Sequence, residues 1–229
     1  MNPLKVILAS ASPRRRQFLA ALGLAHTAAA ADIDESPLPG EEAEDLAARL
    51  ARSKALAVAD NLRPDQCPAL VIGADTVVAL DGLLLGKPLD AAEATAMLAA
   101  LAGRVHQVHS ALAVVYVAQK TEFLPAAVKN SVFVNTTQVT MRAYSDDEIA
   151  AYVATGDPFD KAGGYAIQHR GFDPVAQLDG CPAGVMGLPA AELVALLARF
   201  GVTIDCSLAA VCCALTGLAC CKLSVNSNQ

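Results

Sequence analysis

Residues 5–16 read Lys5-Val6-Ile7-Leu8-Ala9-Ser10-Ala11-Ser12-Pro13-Arg14-Arg15-Arg16, and they decide the fold class. Lys5 to Ser10 is a short apolar run with the length and residue types of a buried strand. Ser12 follows as a helix N-cap, and Pro13 takes the first helical position, where a missing N–H loses no intrahelical bond. The helix predicted from there includes Phe18, Leu19 and Leu22 and stops at Gly23, which suits the left-handed residue after a helix. The loop between strand and helix therefore holds Ser10, Ser12 and the arginines at a helix N-terminus. A helix dipole disfavours cations at that end, so arginines there make better sense with an anion bound among them. The plain alternative is a solvated positive turn.

Strand and helix signals alternate along the rest of the chain. A second helix is predicted from about Glu41 to Asn61, with Ala43, Leu46, Ala47, Leu50, Ala57 and Val58 on one side. Lys54 falls in the middle of that apolar side; it either snorkels to water or points into a polar cleft beside the core. Ala69 to Leu80 reads as a strand interrupted at Gly73-Ala74-Asp75-Thr76, followed by an Asp81-Gly82 hairpin turn and a return strand, Leu83 to Leu85. Asp90 caps a helix ending at Gly103, and strands are expected at Val105 to Val117 and Ser131 to Arg142, joined by a surface loop. Ser145-Asp146-Asp147-Glu148 is a capping box, opening a helix that stops at Gly156. Asp157 to Gln168 reads as a structured loop entering a strand, Val175 to Leu178 as a short strand, and Pro189 as the start of a helix reaching about Phe200. Hairpins mixed with alternating strands and helices predict a mixed sheet flanked by helices.

Composition narrows the function classes. The net charge of −6 lacks the basic surface that drives binding to a nucleic-acid polymer, yet it leaves room for a small phosphate ligand held by a local cluster of cations. The first apolar run is too short for a secretory signal, and the arginines follow it instead of preceding it. Only Cys67 and Cys181 lie in the body of the chain; Cys206, Cys212, Cys213, Cys220 and Cys221 crowd the last 25 residues, about 205–229. An odd number of cysteines without an even framework suggests a reducing compartment, so a cytoplasmic protein is expected. The apolar part of the tail, Ser207 to Cys221, is too short for a comfortable membrane span, so no membrane association is expected.

Asp75 is the candidate of greatest interest, as the only acid in an apolar strand run. A buried carboxylate costs several kcal/mol, roughly, unless it is paired or metal-bound. It reads either as a hydrogen-bonded structural residue or as a metal ligand or general base. Asp32, Asp34 and Glu35 offer further oxygens suited to Mg²⁺ or Mn²⁺, or else form a solvated acidic loop. Lys54, Lys87 in a Gly-Lys-Pro turn and Lys161 in a Gly-rich loop add spaced cations. Cations spread around carboxylates are what phosphoryl chemistry on a triphosphate needs. The chain contains no P-loop, no dinucleotide-binding glycine motif, no nucleophile elbow and no histidine pair with zinc spacing. His106 and His109 read as structural or exposed.

Six stretches, in order, resemble the motifs of the Maf family of nucleotide pyrophosphatases. They are Leu8 to Arg15, Gly73 to Val78, Gly86-Lys87-Pro88, Gly103 to Val108, Asp160 to Gln168 and Val185 to Pro189, and the resemblance spans about residues 4–204. It implies an α/β fold related to inosine-triphosphate pyrophosphatases, with two lobes around an elongated mixed sheet and the active cleft between them. The domain would end near residue 204, with the cysteine-rich tail of unknown role beyond it. The implied reaction is attack of water on the α-phosphate of a nucleoside triphosphate, releasing monophosphate and pyrophosphate with a divalent metal, Mg²⁺ or Mn²⁺. Carried over by motif, Asp75 accepts the proton and binds metal, and Glu35 assists at the metal. Ser10, Arg15, Lys54, Lys87 and Lys161 hold phosphates. The branch acting on dTTP and UTP has Arg, Thr and Gln at its specificity positions, matching Arg14, Thr76 and Gln168 here. Gln168 offers a donor and an acceptor to a pyrimidine edge. A homodimer and a house-cleaning role are also implied.

His169-Arg170 depart from a more usual Gly-rich turn, and Ser110 stands where threonine is common. The tail has no counterpart in the family pattern; it is a lineage extension, a partner-binding element or a product of altered reading near the gene's end. The rival reading from another class is a nucleotide-binding regulator that inhibits septum formation through a protein partner.

Overall fold

The computed structural model describes residues 4–119 and 128–219. Its centre is a seven-stranded mixed sheet in the order β2-β1-β3-β5-β6-β7, with β4 also paired to β3. The strands are β1 (Lys5–Ala9), β2 (Thr27–Ala28), β3 (Ala69–Leu80), β4 (Leu83–Leu85), β5 (Val105–Val117), β6 (Val128–Met141) and β7 (Val175–Asp179). β1 runs parallel to β2 and β3, and the other pairings are antiparallel. The mixed sheet flanked by helices is the architecture expected from the sequence.

Strand alternation splits the core in two. Val71, Ala111, Ala113 and Val115 face one side and pack against Leu46, Ala47, Leu50 and Val58 of α2 (Ala43–Asp60). Leu70, Ile72, Leu112 and Val114 face the other. They pack there with side chains of α1 (Pro13–Ala21), α3 (Ala91–Leu101), α4 (Asp146–Val153), α5 (Pro182–Val185), α6 (Ala190–Ala198) and α7 (Leu208–Thr216).

β1 pairs with β3 only as far as Gly73, and β4 takes up the same edge only at Val78. Between those two ladders lies the stretch from Ala74 to Val77. Ligands of parallel α/β sheets gather where a strand ends and its loop leads into a helix, and β1 ends here. Gly73 brings the second wall close: a Cβ at this position would lie 2.1 Å from the Ala51 carbonyl oxygen. Only glycine lets α2 pass so near the strand, and that proximity puts Lys54, one turn further on, beside Asp75.

Several local expectations are met closely. Ser12 caps α1, Asp90 caps α3, and Ser145 and Glu148 form the capping box of α4. Others need correction. β3 runs without interruption through Gly73–Thr76, because its β5 ladder continues from Ala69 to Ala79. The segment after Lys161 enters no strand; two 3-10 turns, Asp157–Asp160 and Ala162–Gly164, lead into further turns. β2 and α5 are additional elements, of two and four residues. The tail contains α7, capped by Ser207, which packs against α1, α5 and α6 with Cys212 and Thr216 buried. The centre of the loop expected between β5 and β6, and Cys220 and Cys221, lie outside the described residues.

Candidate active site

A cleft of about 670 Å³ opens around the unladdered edge of β3. Asp75 and Thr76 are consecutive, so their side chains leave the strand on opposite faces. The cleft wraps the edge and takes in both.

On the α2 face, Lys54 Nζ donates to Asp75 Oδ1 at 2.6 Å and lies 2.9 Å from Glu35 Oε1. Lys54 and Asp75 are buried, whereas about half of the Glu35 side chain is open to solvent. The lysine in the apolar helix stripe thus points into a polar cleft, and it offsets the cost of burying Asp75.

On the other face, Arg15 reaches from the first turn of α1. Its Nε donates to the Gly187 carbonyl at 2.9 Å, Nη1 to Ser10 Oγ at 3.2 Å and Nη2 to Thr76 Oγ1 at 3.3 Å. Gly187 has φ +94, and a Cβ there would lie 3.1 Å from Thr76 Oγ1 and 3.4 Å from Arg15 Nε, so glycine suits both the turn and the guanidinium beside it. Burial lowers the Arg15 pKa, opposed by the nearby Asp75 carboxylate; the group stays charged, as arginine does. Ser10 Oγ also accepts the Ser12 N–H, which ties the loop to its first serine.

The third wall is the Lys161 loop. Lys161 Nζ is held by Asp157 Oδ1 at 2.8 Å, Asp160 Oδ1 at 2.6 Å and the Asp157 carbonyl. Asp160 Oδ2 pairs with Arg14 at 3.1 Å and so joins the start of α1 to this loop. Burial would raise the pKa of Asp157 and Asp160, but hydrogen bonds from Lys161, joined by the Tyr152 hydroxyl at Asp157 and by Arg14 at Asp160, bring both below the usual carboxylate range. Tyr165, at the back of the loop, is hydrogen-bonded to His106 Nε2 at 2.7 Å. Burial pushes the His106 pKa down to about 4, so this ring is neutral.

The ten residues to which the family resemblance assigned a site role, Ser10, Arg14, Arg15, Glu35, Lys54, Asp75, Thr76, Lys87, Lys161 and Gln168, all line this one cleft. Asp32 and Asp34 do not; Asp34 Oδ1 accepts the Ser36 N–H within its own loop. His106 and His109 are structural, each hydrogen-bonded to a neighbouring side chain. Sequence reasoning passed over Asp157 and the Gly184 and Gly187 carbonyls, and it noted Asp160 and Ser110 without giving either a role. Asp157 and Asp160 flank Lys161 in a Gly-rich loop, and that was the available signal. The carbonyls left no trace in residue type.

The cations of the cleft are Arg14, Arg15, Lys54, Lys87 and Lys161, and its acids are Glu35, Asp75 and Asp160. The balance is positive within a chain of net charge −6, a local field that selects a small polyanion. Glu35 and Asp75 converge on Lys54, so both can offer oxygen to one hard cation. Among the described residues no group of three or more histidine, cysteine or acidic side chains is placed to hold a metal. Two carboxylates with substrate oxygens and water completing the shell is the usual manner of Mg²⁺ binding, so the donor set fits a metal that arrives with a phosphate ligand.

Fold and cleft together define a phosphate-handling α/β protein, and comparison with known proteins agrees. The family model described as Maf-like protein matches residues 5–200, and the chain belongs to that family. It is 47% identical over 199 residues to the dTTP/UTP pyrophosphatase of Myxococcus xanthus, covering 87% of this chain and 94% of that protein. The dTTP/UTP pyrophosphatases of Methylobacillus flagellatus (44% identical, 89% and 96% covered) and Geobacter sulfurreducens (43% identical, 86% and 97% covered) are similar to it in the same way. No helix among the described residues is long and apolar enough to cross a membrane.

Proposed function

We propose that this protein is a nucleoside triphosphate pyrophosphatase acting on dTTP and UTP. The observation that carries the reading is the buried Asp75 carboxylate, held by Lys54 beside a cleft that also contains the Arg15 cradle, Lys87 and Lys161. The relatives named for dTTP/UTP pyrophosphatase activity supply the base preference.

In the proposed reaction, water adds to the α-phosphorus, the bond to the β-phosphate oxygen breaks, and pyrophosphate leaves. Lys54 occupies Asp75 Oδ1, so Oδ2 is the oxygen that accepts the proton from water. Lys54 holds the Asp75 carboxylate in place through that contact. Arg15, Lys87, Lys161 and Ser10 bind and align the phosphates, and Gln168 and Arg14 face the base. Glu35 and Asp75 would hold a divalent cation, which supplies charge neutralisation on the phosphates when bound. A regulator without turnover would need no proton acceptor beside the phosphate cradle. The homodimer and the cytoplasmic location belong to the same proposal, tested by sedimentation and by cell fractionation.

The experiment is pyrophosphate release from a panel of triphosphates with Mg²⁺, Mn²⁺ or EDTA. Metal-dependent release from dTTP and UTP is expected. Asp75→Asn is expected to lower kcat by about 10²- to 10⁴-fold while the protein stays folded. Unchanged turnover in that variant would remove Asp75 from the chemistry.

A further inference from the structure

Ser110 lies in the middle of β5, directly opposite Thr76 in the β3–β5 ladder, and is completely buried. Its near neighbours on the same sheet face, Val108 and Leu112, are apolar. A hydroxyl in such a place costs free energy unless it is used. Its Oγ donates to the Gly184 carbonyl at 2.6 Å.

A hydroxyl has one proton to give. With that proton on Gly184, the 2.9 Å hydrogen bond between Ser110 and Thr76 has to run from Thr76 to Ser110. Thr76 Oγ1 is then left to accept, and Arg15 Nη2 donates to it. Every direction in this series follows from the one before. The Gly184 carbonyl also accepts the Gly187 N–H at 2.7 Å, and the Gly187 carbonyl accepts Arg15 Nε. The result is a closed ring: Arg15 to Thr76 to Ser110 to Gly184, through Gly187, and back to Arg15.

The ring grips the guanidinium at Nε and Nη2, while Ser10 takes Nη1. Of five guanidinium N–H groups this leaves one on each terminal nitrogen to donate to a phosphate. We infer that Ser110 is a positioning residue for phosphate binding, acting through Thr76 and the Gly184 carbonyl to set the plane of Arg15. On this inference Thr76 works on the phosphate side of the substrate through Arg15.

The inference rests on the pyrophosphatase reading, and its test is read by binding so that the two can fail separately. Affinity for inorganic pyrophosphate is measured by calorimetry for the wild type, Ser110→Ala, Arg15→Met and the double variant. Ser110→Ala is expected to weaken binding about tenfold, and to add less than about twofold in the Arg15→Met background, because the two residues act as one unit. Ser110→Thr, which keeps the donor, is expected to recover affinity to within about threefold of the wild type. Equal losses in both backgrounds would make Ser110 a general structural residue and overturn the inference, as would a Ser110→Thr protein as weak as Ser110→Ala. If Ser110→Ala does not fold, Ser110→Cys replaces it, with similar volume and a much weaker donor. Coupled binding without triphosphate turnover would sink the proposed function and leave the ring standing; turnover with additive losses would do the reverse.

Discussion

Asp75 and Thr76 are neighbours in the chain, yet they serve opposite sides of the sheet. Asp75 stands among charges, with Lys54 and Glu35 against α2. Thr76 stands in a ring of hydroxyls and carbonyls that ends on Arg15. On the α2 face, order comes from Coulombic pairing in a buried place, so removal of one partner strands the other. On the α1/α5 face, order comes from directed hydrogen bonds, most of them neutral, whose loss loosens one side chain. Chemistry that moves a proton suits the first environment, and binding that requires a fixed guanidinium suits the second. The cleft uses both because β3 has a free stretch of edge where its two faces can address one ligand.

The comparison can be broken first on the charged side. Lys54→Met keeps the volume but leaves Asp75 buried without its cation, and should cost about 3–5 kcal/mol in denaturant unfolding. Adding Asp75→Asn should return much of that loss, since the stranded charge is then gone. A Lys54→Met protein as stable as the wild type would show that the pair carries little energy.

The hydrogen-bonded face has a pH signature of its own through His106. Its pKa is about 4 in the folded protein against an ordinary 6.5, so as pH falls the unfolded chain takes up the proton first. Stability should therefore be lost progressively between pH 6.5 and 4, by up to about 3 kcal/mol, and this contribution should level off below pH 4. His106→Phe should flatten that part of the stability profile. An unaltered profile would place the titration elsewhere.

The same face is braced from behind by α7, which lies beyond the family match and packs on α1 and α5. Ending the chain at residue 204 removes the buried Cys212 and uncovers apolar surface of its neighbours, at an expected cost of about 2 kcal/mol. Thermal unfolding of the truncated protein measures it. The smallest effect is expected at the Arg14–Asp160 bridge, whose carboxylate is well exposed. Arg14→Gln, which leaves the Asp160–Lys161 contact in place, should change stability by less than about 1 kcal/mol, and less still in high salt.

Where a signal is local, it was legible before the structure. Ser12, Pro13 and Gly23 mark α1, Ser145 and Glu148 mark α4, and Asp81-Gly82 marks the hairpin, because caps and turns are satisfied within a few residues. The ten residues given site roles were also legible as candidates, and all of them line the cleft. Lys54 was visible as an anomaly in an apolar stripe, but its partner was not. Gly73 was misread as a break in β3: glycine and aspartate weaken a strand locally, while the β5 ladder and the close approach of α2 carry it through. The turns after Lys161 were misread as a strand entry for a related reason, since Lys161 is anchored by Asp157 and Asp160 and the chain curls around it.

By itself, then, the sequence determined the elements whose hydrogen bonds close nearby, the alternation that makes a mixed α/β sheet, and the residue types able to handle a polyphosphate. Only the tertiary structure decided which face each of those residues serves. That depends on strand pairing: β1 ends at Gly73 and β4 begins at Val78, and these limits are set by partners far away in the chain. It depends equally on backbone carbonyls, Gly184 and Gly187 above all, which act by position and leave no mark on residue identity.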